Sequence, residues 1–288
     1  MTSVAIIGAG RLGTSLGLAL SKKGFEVRRL ADRSLRQARE SRRILGQGQA
    51  TKDIITAAAE AGLVFICVPD AEIVRTANKL ARASLDWRGK LVFHTSGIQS
   101  STALAALKAK GAFCASFHPV QSFPQKNMPL SHFNKIFIDM EGDREALEAA
   151  RRIAQRLGAR SLLLKARDKI LFHAACSLAS NHFVSLFDMA CMLVRQTGVR
   201  DGAAVEILLP LVEGTLQSVK HLDRSAALTG PISRGDTDTV RQHLAALKKF
   251  PQARRAYRIL GAAALRLAPK KNLPPEKIKI LKRWLEGR

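Results

Sequence analysis

The chain has 288 residues, of which 47% are hydrophobic, and its 47 Lys and Arg against 23 Asp and Glu give a formal charge of +24. This composition excludes a disordered or collagen-like chain. A chain of this length buries on the order of three quarters of its unfolded surface, so its core needs no disulfide or metal. The four cysteines lack metal-ligand spacing, so we predict reduced, buried thiols and no metal site.

The opening sequence MTSVAIIGAG has no basic region before its apolar residues and does not have the pattern of a signal peptide. The most apolar later stretch, residues 170–194, is interrupted by His173, Asn181, His182 and Asp188. A central Asp costs roughly 3 kcal/mol to insert into a bilayer. A helix with one polar stripe is more typical of the interior of a soluble domain. We therefore predict a cytoplasmic protein without a membrane segment.

Short apolar runs alternate with helical patterns as far as residue 165, which is typical of βαβ units and a mostly parallel sheet. Strands are predicted at residues 4–7, 25–31, 63–68, 90–94, 112–117, 135–138 and 162–164, with helices at 12–23 and from residue 34. Long helices follow over 167–267, with a turn at 228–236 and a break at Phe250-Pro251. We predict a doubly wound Rossmann domain over 1–165, an all-α domain over 166–268 and a basic, helical tail over 269–288.

A glycine motif, Gly8-Ala9-Gly10-Arg11-Leu12-Gly13, follows the first strand directly and opens a helix. In this setting Gly8 makes a tight turn, Gly10 lets the backbone approach a pyrophosphate, and Gly13 allows close packing of helix and strand. The free amides at the helix N-terminus, around Arg11 and Leu12, favour an anion. The motif predicts a dinucleotide site; the alternative is a glycine-rich turn without a ligand.

The end of the second strand gives opposing indications about the cofactor. Asp32 is placed to accept hydrogen bonds from ribose hydroxyls, which favours NAD. Arg33 and Ser34 follow it and suit a 2′-phosphate, and Arg36, Arg39 and Arg43 continue a basic helix face. A solvated face of a very basic protein is the alternative for these arginines. We predict NADP, with NAD as the alternative.

Further polar residues follow the later strands, and ligands in such folds lie beyond the carboxyl ends of the strands. These strand ends read Val68-Pro69-Asp70, His94-Thr95-Ser96-Gly97 and Ser116-Phe117-His118-Pro119. We predict that Val68 and Pro69 contact the cofactor and that Ser96 and His118 bind substrate. For the histidines, a structural hydrogen bond is the alternative.

Lys169, His173, Ser177 and Asn181 recur every four residues and would form one line along a helix. Buried polar groups need partners. Facing the cofactor, this line would donate protons to a carbonyl or imine as hydride arrives. Lys169, His173 and Asn181 are therefore catalytic candidates, and an internal hydrogen-bond network is the alternative.

The segment LTGPISRGD at 228–236 has the composition of consecutive turns, with Asp236 or Thr237 capping the next helix. Arg234 is a candidate clamp for an anionic substrate. A purely structural turn, or an Arg234–Asp236 pair, is the alternative.

The segments GAGRLGTSL, VPDAEI, HTSG, SFHPVQSF, DKILFHAACSLASN and LTGPISRGD together resemble the Rossmann-like NADP oxidoreductases with a helical C-terminal domain of uncharacterised function. These are relatives of pyrroline-5-carboxylate reductase, deazaflavin-dependent NADP oxidoreductase and the 6-phosphogluconate and β-hydroxyacid dehydrogenases. The resemblance implies proton transfer by Lys169 and Asn181, although the amide lies closer to the lysine in those enzymes. It also implies a homodimer formed through the helical domain.

Two functions follow from these features. The first is an NAD(P)-dependent oxidoreductase that transfers hydride between a nicotinamide cofactor and a small, anionic carbonyl, imine or hydroxy-acid substrate. The second is a non-catalytic dinucleotide sensor or polyanion-binding regulator, which the pI near 10.8 favours. Because no nucleic-acid motif is present, we predict at most non-specific polyanion binding.

Overall fold

Within residues 3–269 and 273–287, which the computed structural model describes, eight strands form one sheet. The strands are β1 (Ser3–Ile7), β2 (Glu26–Ala31), β3 (Gln49–Thr51), β4 (Leu63–Ile66), β5 (Leu91–His94), β6 (Phe113–Pro119), β7 (Phe137–Gly142) and β8 (Arg160–Leu163). The helices between them are α1 (Arg11–Lys22), α2 (Leu35–Leu45), α3 (Ile54–Ala59), α4 (Asp70–Arg82), α5 (Ala105–Lys108) and α6 (Arg144–Arg156).

The strand order is β3-β2-β1-β4-β5-β6-β7-β8. Neighbouring strands are parallel, except that β6 and β7 are antiparallel. Chain order reverses between β1 and β4, which is where such folds open a crevice at the carboxyl ends of the strands. The predicted Rossmann α/β class, with a helical region after it, is confirmed.

The continuous apolar runs of the strands reflect burial on both faces of the sheet. In β1, Val4 and Ile6 enter one core, whereas Ala5 and Ile7 enter the core on the opposite face. This alternation follows from the two-residue period of a strand. Helices therefore cover both faces, and the carboxyl edge of the sheet is left for ligands.

Beyond β8 the described chain is helical. Its helices are α7 (Lys169–Ala179), α8 (Asn181–Arg195), α9 (Asp201–His221), α10 (Arg224–Ala227), α11 (Thr237–Ala246), α12 (Pro251–Leu267) and α13 (Pro275–Glu286). The chain packs as two compact units, divided after His182. The predicted boundary near residue 166 thus falls inside the first unit, because Lys169 at the start of α7 is fully buried there.

The second unit has a small apolar core of its own, to which α11, α12 and α13 contribute Val240, Leu265, Leu281 and Leu285. Leu281 and Leu285 of the basic tail therefore pack within this unit. The tail prediction over 269–288 is only partly covered, because residues 270–272 and 288 lie outside the described residues.

Residues 166–195 are long and apolar enough to cross a membrane, by length and composition alone. The prediction that these helices lie in the protein interior is wrong for the single chain, since Leu171, Leu178 and Val184 are 77%, 67% and 66% exposed. The first turn of α7 is fixed to the sheet by Lys169, which forms an ion pair with Asp139 on β7. The apolar side chains that α7 and α8 carry beyond this first turn thus stay exposed in the single chain.

Candidate active site

A cavity of about 810 Å³ opens at the carboxyl ends of β1, β2 and β4. It lies at the point where the strand order reverses. Most of the predicted cofactor residues line it: Gly8, Gly10, Arg11, Asp32, Arg33, Ser34, Val68 and Pro69. Leu12 and Gly13 do not line the cavity, because they belong to α1 behind the glycine turn.

The glycine turn is set by three different requirements. Gly8 has a φ of +103°, and a Cβ there would lie 2.6 Å from the backbone carbonyl carbon of Cys67. A Cβ on Gly13 would collide with the carbonyl oxygen of Gly8. Nothing lies within 4 Å of a Cβ built on Gly10, so its backbone surface is free for a ligand. These are the three roles expected of the motif.

Asp32 binds the protein backbone through both carboxylate oxygens. Oδ2 accepts a 2.9 Å hydrogen bond from the Ala9 amide, and Oδ1 accepts one of 2.9 Å from the Ser34 amide. The carboxylate thus joins the glycine turn to the N-terminus of α2. A ribose hydroxyl would have to share these oxygens with the two amides. Asp32, the residue of the sequence that favoured NAD, therefore has a structural role in joining these two segments.

The cavity wall is strongly cationic. Among the described residues, it carries six cations and two carboxylates. Besides Arg11 and Arg33, the cations are Lys52, Arg75, Lys79 and Lys126, none of which was predicted from the sequence. They come from separate segments, and no motif connects them. Such a wall suits a ligand with several phosphate charges.

Lys126 lies on the segment between β6 and β7, which crosses to the nucleotide side. The buried Ser15 hydroxyl of α1 donates to the Lys126 carbonyl at 2.9 Å. The Lys126 ammonium donates to Gln37 and, at 2.9 Å, to Glu40 on α2. This contact lowers the pKa of the Glu40 carboxyl. Lys126 therefore closes one side of the cavity.

A second group of polar side chains, the Asp139 cluster, consists of Ser116 and His118 on β6, Asp139 on β7 and Lys169 on α7. In the antiparallel register His118 stands directly opposite Asp139. Ser116 shares the face of His118 because it is two residues away on the strand. The turn after β8 then brings the first residue of α7 to the same face.

Asp139 is the centre of this cluster. One oxygen, Oδ1, accepts from the Lys169 ammonium at 2.6 Å, and the other, Oδ2, lies 2.5 Å from His118 Nδ1. Lys169 also donates to the Ser116 hydroxyl at 3.2 Å. Ser116, Asp139 and Lys169 are fully buried. Asp139 was not predicted, although a buried lysine requires such a partner.

The predicted catalytic line along one helix is interrupted. The helix breaks at Ser180, where φ is −121° and ψ is −72°, so Asn181 begins α8 and does not continue α7. Asn181 is exposed. Lys169 makes the internal hydrogen-bond network that was the alternative interpretation. His173, one turn further along α7, lies against the loop after β5 and beside the His118 ring.

Two imidazoles meet at Gly97 in that loop. The ring centroids of His118 and His173 are 5.6 Å apart. A Cβ on Gly97 would collide with His173 Nδ1 and would lie 2.9 Å from His118 Nε2. No hydrogen-bond partner for the buried His173 Nδ1 is found in the part of the chain that the structure describes. Gly97 therefore leaves the space that both rings occupy.

The neighbouring polar residues of this loop have structural partners. Ser96 accepts from the amides of Ile98 and Gln99 at 3.2 and 3.0 Å. His94 is fully buried between the Ser100 carbonyl and the Ser96 amide. Burial lowers the pKa of His94 to about 4. The structural alternative therefore explains His94, and Ser96 acts at least in shaping the loop.

Arg234 lies exposed in a turn of the second unit. Asp236 caps α11, since its Oδ1 accepts from the Thr239 amide at 3.0 Å. That bond lowers the pKa of the Asp236 carboxyl. The predicted cap is thus present, and the substrate clamp at Arg234 stays a prediction.

Two family models match the chain, and together they span most of it. Residues 1–119 match a Rossmann-like domain, and residues 136–264 match a domain of unknown function, DUF2520. The two matches thus follow each other along the chain. The resemblance predicted from the motifs is confirmed. In this combination Ser116 and His118 belong to the Rossmann-like segment, whereas Asp139 and Lys169 belong to the DUF2520 segment.

Solved structures are similar over almost the whole chain. A candidate NADP oxidoreductase from Bacteroides fragilis is 24% identical, with a TM-score of 0.77 over 92% of this chain and 98% of that chain. A reductive aminase from Aspergillus terreus in complex with NADPH is 19% identical, with a TM-score of 0.63 over 100% and 93%. A pyrroline-5-carboxylate reductase from Coxiella burnetii is 15% identical, with a TM-score of 0.59 over 93% and 99%. No functionally curated protein matches the chain.

Proposed function

We propose that this protein is an NADP-dependent oxidoreductase acting on a small, anionic substrate with a carbonyl, imine or hydroxy-acid group. The observation that carries the proposal is the cationic cavity above the glycine turn. Its open Gly10 backbone suits a pyrophosphate, and Arg33 and Ser34 stand beside the end of β2 for a 2′-phosphate. Bound there, the cofactor would supply or accept the hydride.

The choice of NADP over NAD rests on two further points. Both Asp32 oxygens already accept backbone amides, so a ribose hydroxyl would have to share them, and the carboxylate is a weaker argument for NAD. The relatives that are similar in fold include an NADPH complex and a candidate NADP oxidoreductase.

The test is calorimetric titration of the full-length protein with NADPH and NADH in parallel. We expect binding of NADPH and a weaker response to NADH. Equal binding, or a preference for NADH, would contradict the assignment of NADP. Binding of neither would remove the oxidoreductase proposal altogether.

A non-catalytic polyanion binder remains the second candidate, because Arg36, Arg39 and Arg43 are exposed together on α2. This alternative requires binding of duplex DNA or RNA that weakens steeply with added salt. Absence of binding at low ionic strength would remove it.

We also propose a cytoplasmic homodimer formed through the helical region. The support is the exposure of large apolar side chains on α7, α8 and α9, including Leu171 and Leu211 at 77% and 67%. Patches of this kind mark interfaces in soluble proteins. Light scattering should give twice the mass of one chain, and Leu211→Arg should lower this mass. Glu148→Arg, at an exposed position of α6, should leave it unchanged. A monomer for the unsubstituted protein would contradict the proposal.

A further inference from the structure

His118 is the one member of the Asp139 cluster that reaches the surface, within the described residues. Its side chain is 14% exposed, whereas those of Asp139 and Lys169 are 0% exposed. The Asp139 carboxylate, which already accepts a hydrogen bond from the Lys169 ammonium, has no hydrogen to donate. The hydrogen of its 2.5 Å contact with His118 must therefore be on His118 Nδ1. The free atom of the ring is then Nε2, which bonds no residue that the structure describes.

Lys169 is unsuited to exchange protons with a substrate. Its ammonium is enclosed and donates to Asp139 and to Ser116. Removing its charge would leave the Asp139 carboxylate buried without a counter-charge, which is costly. Lys169 therefore supplies the counter-charge of the Asp139 carboxylate and fixes its position, and Asp139 in turn holds the His118 ring.

For His173 we expect the opposite tautomer from that of His118. Its Nδ1 is buried against Gly97 without a partner. Buried N–H groups without an acceptor are rarer in native proteins than buried acceptors without a donor. The hydrogen of the neutral His173 ring is therefore on Nε2. His173 Nε2 can then donate a hydrogen bond, whereas His118 Nε2 can accept or release a proton.

Resting on the proposed function, we infer that His118 Nε2 exchanges the proton of the reaction and that Asp139 and Lys169 are positioning residues. In the reducing direction the substrate carbon accepts a hydride, for which the nicotinamide dinucleotide is the two-electron reductant. The π-bond pair moves onto the substrate oxygen or nitrogen, which takes the proton from His118 Nε2–H. This leaves neutral His118 with its hydrogen on Nδ1, bonded to Asp139.

The first test needs no substrate. In the full-length protein with ¹⁵N-labelled imidazoles, NMR should show neutral His118 as the Nδ1–H tautomer and His173 as the Nε2–H tautomer. His118→Gln assigns the first ring. In Asp139→Asn the amide oxygen should stay with Lys169 and the amide N–H should face His118, so His118 should switch to Nε2–H. An Nε2–H tautomer in the unsubstituted protein, or no switch in Asp139→Asn, would overturn the inference.

The second test links His118 to the cofactor. Diethyl pyrocarbonate should modify His118 at its free Nε2, and saturating NADPH should abolish this modification, as followed by peptide mass spectrometry. Exposed His243, whose Nδ1 bonds Tyr257, is the internal control and should react equally with and without NADPH. If NADPH binds by calorimetry but leaves His118 equally reactive, the inference fails while the proposed function stands. If NADPH does not bind, both fail.

Discussion

The nucleotide cavity and the Asp139 cluster lie on one sheet but are built in opposite ways. The cavity combines a glycine turn, whose backbone amides are free, with a wall of partly solvated cationic side chains. The cluster is formed by side chains that are almost entirely removed from water. The folding stability of the cavity region should therefore tolerate changes of the cationic side chains but not a Cβ added where the glycine turn is tightly packed. The stability of the Asp139 cluster should depend on each buried charge keeping its partner.

Asp139→Ala should give the largest effect on stability. It leaves the Lys169 ammonium fully buried without a counter-charge, and breaking a buried pair in this way costs about 3–5 kcal/mol. Urea unfolding of variant and parent measures the loss directly.

The double variant Asp139→Leu with Lys169→Met is the control for this change. Apolar replacement of both partners removes the unpaired charge, so most of the unfolding free energy should return. A double variant as unstable as Asp139→Ala would show that packing, and not charge pairing, dominates the cluster.

The next largest effect on the free energy of unfolding should come from the protonation of His94 at low pH. Burial lowers its pKa from 6.5 to about 4, so between these values the unfolded chain binds a proton that the folded chain does not. The unfolding free energy should therefore fall as pH falls through this window, by about 3 kcal/mol from this group.

His94→Asn keeps an acceptor for the Ser96 amide and has no proton to bind. Urea midpoints at about pH 7 and about pH 4.5 should differ less for this variant than for the parent. Parallel pH dependence in the two proteins would contradict a buried, neutral His94.

The two regions also differ in how far the sequence predicted them. The glycine motif is local, and its strand and helix follow from a few adjacent residues, so the position of the cavity was predicted together with eight of the residues that line it. The Asp139 cluster depends on the register of β6 against β7 and on the start of α7. The predicted strand at 135–138 ended one residue before Asp139, and nothing local shows that these strands are antiparallel.

The same limit explains the other differences. β3 has three residues, too few for a periodic pattern. The break at Ser180 has no Gly or Pro to mark it, so α7 and α8 looked continuous. Lys52, Arg75, Lys79 and Lys126 converge only when the sheet is assembled. The sequence showed which residue types were present but not which residues distant along the chain come together in the fold.

Gly13→Ala tests the backbone side of the comparison. The added methyl would collide with the Gly8 carbonyl and approach Cys67 Cβ at 3.0 Å, so overpacking should cost about 1–3 kcal/mol. NADPH binding should be lost as the turn shifts.

Gly10→Ala is the matched control, since its Cβ meets nothing within 4 Å. It should cost less than about 1 kcal/mol of stability and still weaken NADPH binding, because the methyl occupies the approach to the pyrophosphate. Equal stability losses in the two variants would contradict their separate roles in the turn.

Arg33→Ala should give the smallest effect, confined to one ligand. Arg33 is exposed and lines the cavity, so its loss should leave stability within about 0.5 kcal/mol. A charge-assisted hydrogen bond to a 2′-phosphate is worth about 1.5–3 kcal/mol, so NADPH affinity should fall at least about tenfold while NADH affinity is unchanged. Arg39 is also exposed but lies on α2 and does not line the cavity. Arg39→Ala should therefore change neither the NADPH affinity nor the NADH affinity. Parallel losses for both cofactors would place Arg33 at the shared pyrophosphate, and the discrimination would then have to come from the other cations of the wall.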